Sequence, residues 1–79
     1  MSLSKRDREF IDRLDGALTV IGRLRPKNPA DIAAIFHNNK IATAAAKELT
    51  AAIGCFRARD DVELAEHLDS ADAILAVES

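Results

Sequence analysis

The sequence predicts an all-α protein, a small antiparallel bundle of three to four helices completed by dimerisation. Three observations predict it. Ile41, Ala45, Leu49, Ala52 and Phe56 recur at helical spacing through a stretch, 41–56, whose only charges are Lys47 and Glu48. Leu64, Leu68, Ala71 and Leu75 follow at steps of four, three and four, a heptad seam. Between these segments and the start of the chain, Pro26 and Pro29 mark a break, because the residue before a proline is pushed out of the helical region.

The chain has 79 residues, one domain over 1–79. A domain of this size buries only about 60–65% of the surface its unfolded chain exposes. Phe10, Phe36 and Phe56 are the aromatic residues, and much of the apolar content is Ala, which adds little burial. A second copy is the expected source of further stability, so a homo-oligomer is expected. The formal net charge is −2, which implies no polyanionic partner. Its distribution is uneven. Residues 1–27 carry seven Lys/Arg against four Asp/Glu, and residues 57–79 carry two against seven. The basic first segment and the acidic last one are expected to lie side by side, within one chain or between two.

Taken in order, Ser4 is an N-cap with Asp7 in the first turn. The first helix is expected over residues 5–24, with Phe10, Leu14, Ala17, Leu18, Ile21 and Leu24 inward and Ile11 on the flank. Gly16 and Gly22 lie inside it. Asn28 is the expected N-cap of the next helix, with Pro29 as its first residue and Ile32, Ile35 and Phe36 inward. Asn38 and Asn39 are poor helix formers, and a break or kink is expected there. Were the helix continuous, a second copy would be needed to cover its length. Small residues in the 41–56 helix let two neighbours approach it, which makes it central. Asp60 caps the last helix, with Glu63 placed for a capping box. Val62, Ala65, Ile74 and Val77 widen its stripe, and Glu66, Asp69, Asp72 and Glu78 form its acidic outer face.

Little here points to chemistry. Cys55 is alone, so no intrachain disulfide forms, and it reads as a small buried hydrophobe. A reducing, cytoplasmic setting fits. No apolar run reaches the ~20 residues of a membrane span, and the charged start has no apolar core behind it, unlike a secretory signal. His37 and His67 stand thirty residues apart, in no familiar metal-ligand spacing, so no metal, cofactor or catalytic residue is assigned. Asp69, Ser70 and Ala71 resemble the attachment site of carrier proteins, but such a serine belongs at the start of a mid-chain helix. No enzyme is expected.

Two functional classes remain. One is a protein-interaction module that pairs with itself and, in a wider role, with another protein. Its interface would draw on Ile41, Ala45, Leu49, Ala52, Phe56, Leu64, Leu68 and Leu75. The alternative is a small DNA-binding regulator with a helix-turn-helix over residues 29–49. That alternative is weak, because its second helix would offer Ala42, Thr43, Ala44, Ala45 and Ala46 where base and phosphate contacts need long polar side chains.

Overall fold

A computed structural model describes residues 3–76. Among them the chain forms three helices and no strand: α1 (Lys5–Gly22), α2 (Ile32–Ala58) and α3 (Asp61–Ala76). Helix α3 runs antiparallel to α2, since Cys55 lies opposite Glu63 and Glu48 opposite His67. Helix α1 runs parallel to α3, with Arg6 at Asp61 and Arg13 at Asp69 and Asp72. The result is an up-down-up bundle of 46 × 23 × 16 Å. Val77 and Glu78 lie outside the described residues.

Local chemistry sets the helix ends. Ser4 Oγ accepts from the Asp7 N–H at 3.1 Å, as a cap should. Helix α1 ends at Gly22, two residues earlier than expected. There Arg23 and Leu24 donate to carbonyls three residues back, tightening the last turn ahead of Pro26.

The start of α2 differs from expectation. Asp31, not Asn28, is the N-cap, and its Oδ1 accepts from Ala34 N–H at 3.1 Å. Asn28 instead opens a turn. Its carbonyl accepts from Asp31 N–H and its side chain from Ala30 N–H, which places Pro29 second in the turn. Proline's fixed φ suits that position as well as a first helical one.

Helix α2 also passes unbroken through Asn38 and Asn39. The expected break is absent because each Asn costs at most ~0.7 kcal/mol against Ala in helix propensity. A break would instead leave backbone donors and acceptors without helical partners. The helix-turn-helix over 29–49 therefore does not form.

At its far end α2 closes on Arg59, in the left-handed conformation at φ 60° and ψ 29°. Asp60 N–H reaches Cys55 O and Arg59 N–H reaches Phe56 O, a Schellman pattern built without glycine. Asp60 then caps α3, its Oδ1 accepting from Glu63 N–H at 3.2 Å. The reciprocal half of the capping box is not made, because Asp60 N–H already serves the end of α2.

The core follows the predicted stripes. Ala45, Leu49 and Ala52 of α2 pack with Leu64, Leu68, Ala71 and Leu75 of α3, and α1 adds Phe10 and Ala17. Ala45, Ala52 and Ala71 are fully occluded, which fits close helix approach where side chains are smallest. A Cβ placed on Gly16 or Gly22 would meet nothing within 4 Å, so neither glycine serves a close approach.

One side chain ties all three helices at one end. Arg6 lies 4.3 Å over the Phe56 ring, donates to the Phe56 carbonyl at 3.0 Å, and pairs with Asp61. Phe56 also stacks on Phe10, ring centroids 4.3 Å apart and 12° from parallel. The basic first segment and acidic last one thus meet within a single chain.

Several apolar positions face water instead. Ile11 and Leu18 of α1 are exposed, as is Val62 of α3, while Ile35 is half-buried. Ile32 and Phe36, expected inward, are 65% and 69% exposed. The reason is the face they occupy: both lie on the side of α2 opposite Ala45 and Ala52, which point into the core, so α3 would not cover them even alongside. The helix is also longer than its neighbour, 27 residues against 16, so the first part of α2 outruns α3.

Candidate functional site

Two features stand apart from the core. The first lies along the α2–α3 seam. Glu48 and Cys55 are seven residues apart, two helical turns on one face of α2. Glu63 and His67 are four apart, one turn on α3. The antiparallel packing brings the two pairs together. His67 Nδ1 lies 2.7 Å from Glu48 Oε2, with the two side chains 34% and 30% exposed. A carboxylate only accepts, so Nδ1 carries the proton of that bond and Nε2 keeps its own capacity. Cys55 Sγ lies 4.0 Å from Glu63 Oε2. A ligand atom from each of Cys55, Glu63 and His67 falls within 4.8 Å of the others. Partial burial pushes the Cys55 thiol up, and the charges of Glu63 and Asp60 push it further. The thiol is therefore held in its protonated form, a poor nucleophile.

Spacing along the chain does not reveal this group, because the two histidines stand in no ligand spacing and Cys55 is far from both in sequence. His37 sits on an exposed stretch of α2 outside the cluster. The signal was present as two same-face pairs, but joining them requires the register between helices, which no single helix contains.

The second feature is the back of α2. Ile32, Phe36, Asn39, Thr43, Ala46, Thr50 and Ile53 follow at steps of four and three, and all seven are exposed. None is charged. They lie away from Glu48 and Cys55, the side that faces α3. In the sequence this second repeat is hidden, because Ala occurs on several faces and only Ile32, Phe36 and Ile53 are large.

The eight residues expected at an interface are placed within one chain. Ala45, Leu49, Ala52, Leu64, Leu68 and Leu75 are buried in the core, and Ile41 and Phe56 are packed against it. Apolar surface still open to a partner lies elsewhere, mainly on α1 and the back of α2. Two shallow clefts, of about 360 and 220 Å³, flank Arg13 between α1 and α3. Arg13 itself is taken up by Asp69 and Asp72, at 2.9 and 2.7 Å. Ser70 is an exposed residue inside α3. Among the described residues no helix is long and apolar enough to cross a membrane.

Among the described residues, the fold and these features define a three-helix bundle with an uncovered face along α2 and a mixed-donor cluster at the α2–α3 seam. No family model matches the chain, and neither a curated protein nor a solved structure matches it.

Proposed function

We propose that this chain is a helical protein-interaction module that pairs with a second copy of itself through the back of α2. Its role is binding rather than catalysis, and the lone Cys55 suits work in the reducing cytoplasm. The observation that carries the reading is the exposed, uncharged four-and-three repeat from Ile32 to Ile53. Steps of four and three are what a packed pair of helices uses as its shared seam. The repeat also matches itself when reversed to within one residue, about 1.5 Å of helix rise. With two α2 helices antiparallel about Thr43, Ile32 meets Ile53 of the partner copy, Phe36 meets Thr50, Asn39 meets Ala46, and Thr43 meets Thr43. Large residues thus oppose smaller ones except at the two ends, where isoleucines pair. A two-fold axis requires this kind of self-complementarity. The pairing also covers the part of α2 that α3 does not reach.

Lys40 and Lys47 flank the repeat and come near their counterparts in such a pair, so added salt should tighten it. Sedimentation equilibrium of the full chain tests the reading. A dimer that strengthens with concentration and salt is expected. Phe36→Ser should weaken it about tenfold or more, the value of one buried aromatic side chain. A chain that stays monomeric at high concentration, or a dimer unaffected by Phe36→Ser, overturns it.

A further inference from the structure

We propose that Cys55, Glu63 and His67 form a binding site for a thiophilic divalent transition metal, Zn²⁺ being the best fit, at the α2–α3 seam. The donor set is one sulfur, one nitrogen and one oxygen, from two helices whose packing is fixed by the core beneath them. Zinc takes this mixture in a four-coordinate site, and three protein ligands leave one position for water. Hard cations such as Mg²⁺ and Ca²⁺ prefer all-oxygen shells, so the thiol and imidazole select against them.

The spacing supports this. A ligand atom from each of the three residues already lies within 4.8 Å of the other two. Glu48 supplies the outer support. Its carboxylate holds His67 at Nδ1 with a 2.7 Å bond. Metal-bound histidines are commonly oriented in this way by a carboxylate on the second ring nitrogen. Binding through Cys55 displaces the thiol proton to solvent, leaving a thiolate–metal bond.

This site does not depend on pairing of α2, since Cys55 lies on the side of α2 that faces α3, and Glu63 and His67 lie on α3. The test is titration of the metal-free full chain with Co²⁺, a coloured stand-in for Zn²⁺, followed by displacement with Zn²⁺. Expected is one ion per chain with a thiolate-to-metal charge-transfer band that Zn²⁺ abolishes. Cys55→Ser should remove the band, and His67→Gln and Glu63→Gln should each weaken binding at least tenfold. Glu48→Gln should weaken it ten- to hundredfold while keeping the band, as for other outer-shell partners. His37→Ala should change nothing. Circular dichroism of each variant checks that the helices persist. The proposal is overturned if no band forms, if the band survives Cys55→Ser, or if His37→Ala weakens binding as much as His67→Gln.

Discussion

The guanidinium of Arg6 lies 4.3 Å over the ring centroid of Phe56 and donates to the carbonyl of that same residue at 3.0 Å. One long side chain thereby adds a second donor to a carbonyl at the end of α2 that already accepts from Arg59 N–H, covers an aromatic face and reaches Asp61 in the first turn of α3. Arg6→Ala should lower unfolding free energy by about 2–4 kcal/mol, summing a cation–π contact, a charged hydrogen bond and a partly exposed ion pair. Arg6→Lys should recover less than half, because a compact ammonium cannot make all three contacts. Urea denaturation of the two variants checks both values. Equal stability of Arg6→Ala and the unaltered chain would contradict this role.

Asn38 lies inside a continuous helix. Asn38→Ala should therefore strengthen helical structure there by about 0.5 kcal/mol, the propensity difference between the two residues. Were Asn38 a cap at a break, the same change would instead cost about 1 kcal/mol. Amide hydrogen exchange over residues 34–42 reads the sign directly.

Arg59 holds a left-handed conformation at the turn between α2 and α3, where a side chain is unfavourable. Arg59→Gly should raise unfolding free energy by about 0.5–1 kcal/mol, less whatever the freer glycine loses in the unfolded chain. The comparison is a denaturation midpoint, and a fall in that midpoint would show that Arg59 contributes more than conformation.

What could be read in advance was what repeats along one helix. The Ala45, Leu49, Ala52 and Leu64, Leu68, Ala71, Leu75 stripes were legible because burial follows helical period. So were the Ser4 and Asp60 caps, whose bonds are local. The charge split was legible as well, and Arg6 and Arg13 realise it with Asp61, Asp69 and Asp72. Competition between equivalent signals was not legible. Asn28 and Asp31 are both cap residues near Pro29, and only the turn geometry chooses Asp31. Nor could Ile32 and Phe36 be placed, since with Ala on several faces of α2 the pattern alone does not say which face meets α3. The Glu48, Cys55, Glu63 and His67 cluster was hidden for a related reason, needing the register of two helices.

Thr43 stands on the proposed two-fold axis of an antiparallel α2 pair, and a cysteine there reads the pairing most directly. In a Cys55→Ser background, Thr43→Cys should oxidise to a disulfide-linked dimer, because residues on the axis meet their own copies within disulfide reach. Asp15→Cys, exposed on α1, should stay monomeric under the same oxidation. Rapid crosslinking at 43 with none at 15 is the predicted result. No crosslinking at 43, or equal crosslinking at both positions, would contradict the account.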